Sequence, residues 1–291
     1  MGEIRDWVRL LRPKQWLKNG FVLAPVLFGG KASQLDSVLN AVLATAIFSA
    51  LASGVYLLND VYDREEDGRH PKKKNRPVAS GRIPPHQAAG MGVSLAVTAI
   101  AGAWALDPRF GGIAIGYAGL NVLYTLRLKS VVLLDVFTIA GFFLLRLLAG
   151  AAVVDVRPSL WLLLCGGLLA LFLGFTKRKS EIMALGGHVV HHRAVLVKYD
   201  RHLLDQISGV LLSVTVVSYI MFTLNSETAL RIEGDALSYS VAFVLYGVFR
   251  YLYLTREDVG GDAAETVLSD RPLLASVVAW ALYCGWLLYG G

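Results

Sequence analysis

Asn59, Asp63 and Asp67 follow one another at intervals of four residues in the run Leu57-Leu58-Asn59-Asp60-Val61-Tyr62-Asp63-Arg64-Glu65-Glu66-Asp67. On a helix that spacing sets three hard oxygen donors on one face, one turn apart. Mg2+ takes a few carboxylates and completes its shell with water and phosphate oxygens. The pattern therefore predicts a metal site at Asn59, Asp63 and Asp67 that grips a diphosphate. A solvated helix end with capping acids is the plain alternative. Against it, acids at a helix C-terminus oppose the macrodipole, and charge is costly at the mouth of an apolar bundle. The chain then turns basic, through Gly68-Arg69-His70-Pro71-Lys72-Lys73-Lys74-Asn75-Arg76 to Arg82. An anionic ligand bridged by metal on one side and by Arg or Lys on the other explains the mixture. Arg69 and Arg76 are the expected substrate contacts, together with Asp60 inside the acidic run. Lys72 to Lys74 are explained as well by topology-setting charge.

These groups must be positioned by membrane helices. The 291 residues are 55% hydrophobic and only 17% charged, with a mean hydropathy of +0.53. An average soluble domain carries about 25% charged residues. Apolar runs predict about nine spans, over 17–32, 37–58, 87–106, 110–126, 131–154, 159–176, 204–224, 236–255 and 272–289. Most approach the ~20-residue spanning length, the first and fourth falling short. Irregular backbone is not tolerated against lipid, so the expected class is all-α. The expected architecture is one polytopic membrane catalytic domain over residues 1–291, with a polar cavity facing the cytoplasm. Met1 to Lys18 shows no short apolar core with a small-residue cleavage site, so no removable signal peptide is expected. With the N-terminus inside, twenty-two of the 28 Lys and Arg fall on the cytoplasmic side. The net charge of +6 is thus a positive-inside signature, and nucleic acid is not an expected partner. The long loops 59–86 and 177–203 stand four helices apart, a hint of two similar halves. Cys165 and Cys284 lie in apolar runs and read as packing residues.

Further polar residues punctuate the apolar spans. Asp135 and Arg146, eleven residues apart, fall nearly on one face of the fifth helix. Ionisable side chains inside a membrane are functional candidates by default. Asp135 belongs near the cytoplasmic end, and Arg146 about 16 Å deeper at 1.5 Å per residue; a structural anchor in the bundle explains Arg146 equally well. Tyr124 and Lys129, at the turn between the fourth and fifth helices, are expected to face the same cavity, although Tyr124 also suits an interfacial aromatic belt. His188, His191 and His192 do not make a zinc site: adjacent residues cannot share a helix face, no cysteine is near, and a solvated loop is the better reading.

The Asn59, Asp63, Asp67 run at the end of the second helix resembles the first aspartate-rich motif of the UbiA-type intramembrane prenyltransferase superfamily. Arg12-Pro13-Lys14-Gln15-Trp16-Leu17-Lys18-Asn19, Tyr124-Thr125-Leu126-Arg127-Leu128-Lys129, Leu134-Asp135-Val136, Gly141-Phe142-Phe143-Leu144-Leu145-Arg146, Lys177-Arg178-Lys179-Ser180-Glu181 and Asp270-Arg271-Pro272-Leu273 are similar to its decaprenyl-phosphate phosphoribosyltransferase branch. The resemblance runs from residue 9 to about 275. It implies a UbiA-like bundle in the plasma membrane, with its active site toward the cytoplasm. It implies transfer of phosphoribosyl from 5-phosphoribosyl 1-diphosphate to a polyprenyl (decaprenyl) phosphate, releasing diphosphate. It implies Mg2+, with Mn2+ able to substitute, and a product that feeds the lipid-linked arabinose donor of cell-wall arabinan. Lys14, Gln15, Lys18 and Asn19, a polar strip around Trp16, then become an interfacial segment that covers the cavity and meets the acceptor phosphate; a simple interfacial anchor is the alternative.

One departure from the superfamily pattern separates the branches. Other members carry a second Asp-x-x-x-Asp after the sixth helix, where this chain has Lys177 and Glu181 four residues apart. Two anionic substrates brought together repel by about 4 kcal/mol per charge pair at ~4 Å and an effective dielectric of 20. Fixed cations offset this, and Arg grips phosphate bidentately. Lys177, Arg178 and Glu181 therefore join Asp63 and Asp67 as the expected catalytic set. An aromatic or quinone prenyltransferase is the alternative within the superfamily. A lipid transporter is the alternative outside it, expected to carry helices broken near the midplane. A homo-oligomer is left open.

Overall fold

The computed structural model describes residues 2–69, 73–185, 196–225, 229, 232, 235–257 and 263–290. His188, His191 and His192 lie outside them, as does Lys72. Among the described residues every regular element is helical. The α-helices are α1 (Gly2–Leu11), α2 (Ala24–Phe28), α3 (Leu35–Tyr62), α4 (Arg64–Arg69), α5 (Pro85–Leu106), α6 (Pro108–Leu126), α7 (Leu134–Val153), α8 (Leu160–Leu185), α9 (Arg201–Asn225), α10 (Val241–Glu257), α11 (Ala263–Ser269) and α12 (Arg271–Tyr289). Seven of the described segments are long and apolar enough to cross a membrane: Leu35–Tyr62, Pro85–Leu106, Leu134–Val153, Leu160–Met183, Arg201–Leu224, Ala236–Thr255 and Arg271–Tyr289.

Two of the nine expected spans differ from this set. The region 17–32 is not one helix: a 3-10 segment, Pro13–Val22, gives way to the five-residue α2, and the chain then turns at Gly30 with φ 70°. Pro25 cannot donate to the helical ladder, and Gly30 takes a left-handed conformation that favours glycine. Hydropathy registers the apolar composition of this stretch but not its breaks. The region 110–126 is a helix, α6, but lies outside the seven. Its glycines at 111, 112, 116 and 119, with Tyr117, Asn121, Tyr124 and Thr125, dilute its apolar character.

The helices pack in sequence order: α3 against α5, α5 against α6, α6 against α7, α7 against α8 and α8 against α9, with α10 on α12. Gly54 of α3 and Gly92 of α5 face each other so closely that a Cβ on Gly92 would sit 3.0 Å from the Gly54 carbonyl oxygen. Small residues at such crossings allow backbones to approach where no hydrophobic force draws helices together. Behind this crossing Phe48, Phe110, Tyr117 and Phe142 form an aromatic core, with Phe48 and Tyr117 ring centroids 4.7 Å apart. The α3–α5–α6–α7 packing fixes the C-terminal end of α3 beside the turn between α6 and α7, where the polar residues gather.

Candidate functional site

Helix α3 ends at Tyr62, and Asp63 caps it, its N–H donating to the Asn59 carbonyl at 2.9 Å. A new helix, α4, starts at Arg64, and the Asp67 N–H returns to the Asp63 carbonyl at 2.8 Å. The four-residue donors therefore straddle a break instead of lining one continuous helix. Among the described residues, every acid of the run but Glu65 and Glu66 is paired with a cation, two of them with the same one. Asp60 is held by Arg12 and by Arg76 Nη1, the latter at 3.0 Å. The same Arg76 Nη1 reaches Asp67 Oδ2 at 2.5 Å, and Lys73 Nζ stands 3.7 Å from Asp67 Oδ1. Lys129 Nζ donates to Asp63 Oδ1 at 2.7 Å, and Thr125 Oγ1 donates to Asn59 Oδ1 at 2.8 Å. Asp60 and Asp67 are 3% and 2% exposed. Buried charge must be paired and hydrogen-bonded, and here the chain's own cations supply the pairing.

A second cluster forms where α7 meets α8. Arg178 donates from Nε to Asp135 Oδ2 at 2.8 Å and from Nη1 to Glu181 Oε2 at 2.6 Å. Tyr199 donates to Asp135 Oδ1 at 2.7 Å and accepts from the Leu133 N–H at 2.7 Å, so Asp135 has both oxygens engaged. Burial, then the hydrogen bond to the Asp135 carboxylate, push the Tyr199 phenol well above the usual tyrosine range. Lys179 pairs with Asp205.

One stretch, residues 124–135, serves both clusters. Thr125 and Lys129 reach back to Asn59 and Asp63, while Asp135 opens α7 beside Arg178. Tyr124, stacked edge-on against Phe142 at 5.9 Å, lies within electrostatic range of Arg178. Tyr124 and Lys129, expected to face one cavity, thus lie on the stretch that reaches the acidic run through Lys129 and Asp63, and Asp135 lies on the same stretch beside Arg178. Lys177 is half-buried one residue before Arg178, and Arg69 is exposed at the end of α4.

Arg146 is placed elsewhere. Its guanidinium donates to Asn19 Oδ1 at 2.7 Å, to the Phe142 carbonyl at 2.8 Å and to the Tyr117 hydroxyl at 3.2 Å, and it lies over the Phe48, Tyr117 and Phe143 rings. Asn19 in turn donates to Ser49 Oγ at 2.8 Å. Both are buried, so Arg146 and Asn19 clamp the broken N-terminal segment to the bundle. Lys14 is exposed, and Gln15 and Lys18 are half-buried along the same segment. Between this segment, α3 and α5 runs a groove of about 580 Å3 lined by Leu11, Trp16, Leu23, Val42, Ala46 and Ala50, among others.

Sequence reasoning did not select Arg12, Thr125, Tyr199 or Asp205. Arg12 carried one detectable sign, its place directly before Pro13 at the end of a charged amphipathic run; the structure adds a left-handed backbone, φ 53°, that turns the residue toward Asp60. Tyr199 carried none.

Among the described residues, no group of three Asp, Glu, His or Cys side chains is arranged to hold a metal by itself. Asp60 and Asp67 nevertheless converge on one guanidinium nitrogen. Two buried carboxylates sharing one cation position fit Mg2+, which needs only one or two carboxylates when phosphate and water complete its octahedron.

Fold and site together define a polytopic helical membrane protein whose polar helix ends form paired acid–base clusters. The model described as the UbiA prenyltransferase family matches residues 21–274, and the chain belongs to that family. A decaprenyl-phosphate phosphoribosyltransferase from Mycobacterium tuberculosis is 30% identical over 282 residues, covering 96% of this chain and 92% of that one. The protein of the same name from Corynebacterium glutamicum is 30% identical over 281 residues, 95% of this chain and 84% of that one. In fold, the chain is similar to a UbiA homolog from Archaeoglobus fulgidus solved with DMAPP and Mg2+, at a TM-score of 0.74 and 19% identity, covering 98% and 99% of the two chains.

Proposed function

We propose that this protein transfers the 5-phosphoribosyl group from 5-phosphoribosyl 1-diphosphate to a polyprenyl (decaprenyl) phosphate. The observation that carries the reading is the second cluster. Glu181, the one acid left at the positions where a second acidic pair would stand, is bonded to Arg178 at 2.6 Å. The two carboxylates there, Asp135 and Glu181, are both taken up by Arg178, which leaves neither for a second metal, and Lys177 stands beside them as a further cation. Two anionic substrates need such fixed positive charge more than a prenyl diphosphate with a neutral acceptor does. The relatives named above, similar along nearly the whole chain, support the same reading.

In the reaction, the bond from ribose C1 to the diphosphate oxygen breaks and diphosphate leaves with the electron pair. An oxygen of the lipid phosphate supplies the pair for the new C1–O bond from the opposite face. The acceptor is already an anion, so no general base is required. Bound Mg2+ would neutralise charge gathering on the leaving diphosphate; Mn2+ can take its place. Asp60 and Asp67 would hold that ion, with Asp63 and Asn59 adjoining. Arg76 and Arg69 face the diphosphate, and Lys177 and Lys129 lie toward the junction of the two anions. Catalysis is then chiefly positioning and electrostatics. The apolar groove beside Trp16 and Val42 suits the polyprenyl chain, and Lys14, Gln15 and Lys18 lie on the same 3-10 segment as Trp16. We place the protein in the plasma membrane with the site toward the cytoplasm, where the soluble donor is found, its product supplying the lipid-linked arabinose donor for arabinan.

The test uses purified protein in detergent with radiolabelled phosphoribosyl diphosphate and polyprenyl phosphate. A labelled, acid-labile lipid is expected. Labelled product from a prenyl diphosphate and an aromatic acceptor instead would overturn the reading.

A further inference from the structure

We infer that Arg76 is an internal counter-cation. In the donor-free protein its guanidinium stands in the divalent-cation position between Asp60 and Asp67, and it shifts onto the donor diphosphate as cation and diphosphate bind together. The inference rests on the proposed function only in taking a diphosphate as the ligand.

The geometry is specific. A single nitrogen, Arg76 Nη1, bonds Asp60 Oδ1 at 3.0 Å and Asp67 Oδ2 at 2.5 Å. The two carboxylates are buried, whereas the Arg76 side chain is 30% exposed, so the arginine reaches the acids from the solvent side. Two carboxylates sharing a site cannot both stay ionised without a cation between them. Breaking a buried pair by removing one partner is strongly unfavourable. Arg12 on Asp60 and Lys73, 3.7 Å from Asp67 Oδ1, offset part of that charge, so the departure of Arg76 is favoured when another cation replaces it, and a cation cannot enter between the two acids unless Arg76 leaves.

The displaced guanidinium needs an anion in turn, and its planar fork matches phosphate oxygens. The local chain permits the exchange. Arg76 lies outside the helices, between the 3-10 turn Lys73–Asn75 and Pro77, so its side chain can swing without unwinding α3 or α4. Arg12 is placed to stay behind. It holds Asp60 from the opposite segment and lies over the Tyr56 ring at 4.9 Å, so Asp60 keeps one partner throughout. Cation and diphosphate binding are thus linked through Arg76, each favouring the other reciprocally.

The test measures Mn2+ binding to the full chain in detergent by electron paramagnetic resonance, with inorganic diphosphate as the probe. Wild-type protein is expected to bind Mn2+ weakly alone and roughly 5- to 150-fold more tightly with diphosphate, the usual range of coupling between sites. Arg76→Gln is expected to bind Mn2+ alone about tenfold more tightly than wild type and to lose most of the coupling. Arg76→Lys keeps the charge but offers a point cation in place of a fork, and its values should fall between the two. Lys74→Gln, in the same loop but exposed, controls for diffuse charge. Arg76 variants that bind Mn2+ alone no more tightly than wild type, or that keep full coupling, overturn the inference, as does an equal effect of Lys74→Gln. Because neither ribose nor lipid is present, failure here leaves the donor assignment standing, and failure of the donor assignment leaves this result standing.

Discussion

Arg178 and Asp135 are bonded at 2.8 Å across the α7–α8 contact, and both side chains are almost wholly shielded from solvent. Removing the arginine strands a buried carboxylate with only Tyr199 for company. Arg178→Ala should therefore cost about 3–5 kcal/mol of stability, seen as a lower unfolding midpoint in detergent, beyond any loss of a phosphate contact. Asp135→Asn combined with Arg178→Gln removes both charges and should recover part of that stability, because partners in one network are not additive. A single Arg178→Ala variant as stable as wild type would show that the pair does not hold α7 to α8.

Asp63 and Lys129 form a pair that is about a quarter exposed on each side. Such a pair contributes at most about 1 kcal/mol, so Asp63→Ala should fold normally. Asp63→Ala and Asp67→Ala are each expected to abolish turnover, and a chelator should silence the wild-type enzyme until Mg2+ or Mn2+ is restored. Near-normal turnover of either variant in the presence of chelator would remove these residues from the metal site.

Lys177→Asp tests the donor. The change rebuilds an acidic four-residue spacing with Glu181 and sets an anion beside two anionic substrates. One added repulsion of about 4 kcal/mol at ~4 Å and a dielectric of 20 corresponds to a loss of roughly a thousandfold in phosphoribosyl transfer. Calorimetry with both donor types distinguishes the readings: wild-type protein that binds geranylgeranyl diphosphate tightly and ignores phosphoribosyl diphosphate supports the prenyltransferase alternative.

Orientation is tested by cysteine labelling at two exposed positions, Lys74 and Lys198. Both should react from the cytoplasmic face in sealed vesicles. Labelling from opposite faces would contradict a shared side for the loops 64–82 and 177–201.

Much of this arrangement can be read from residue spacing, because lipid constrains composition so strongly. The expected spans 131–154 and 272–289 correspond to α7 and α12 within three residues at each end. The acidic run also lies where its spacing puts it, at the close of the second long apolar stretch. The break at Asp63 was not legible, since periodicity assumes that a helix continues until a breaker stops it, and no proline or glycine stands there. Nor was the choice between Asp60 and Asp63 as the partner of Asp67. That choice depends on Arg12 and Arg76, which come 48 residues before Asp60 and 16 after it. Arg146 shows the same limit: its burial was readable, but its partner Asn19 lies 127 positions away.

That separation sets the order in which the protein can be built. The segment Pro13–Phe28 brings Asn19 and non-α-helical backbone to membrane depth, and such groups are tolerated there only when buried in protein. Ser49 offers one partner early, but the guanidinium that completes Asn19 belongs to Arg146, and the seat for the Val22 carbonyl exists only because Gly150 has no Cβ. At a synthesis rate of ~5–20 residues per second, Arg146 leaves the ribosome roughly 6–25 s after Asn19. Until then the N-terminal segment has nowhere to dock in the hydrocarbon and must wait at the interface or under a chaperone. A segment that precedes α3 is thus seated only once α7 has been made, and a nascent chain halted before α7 should leave it open to protease.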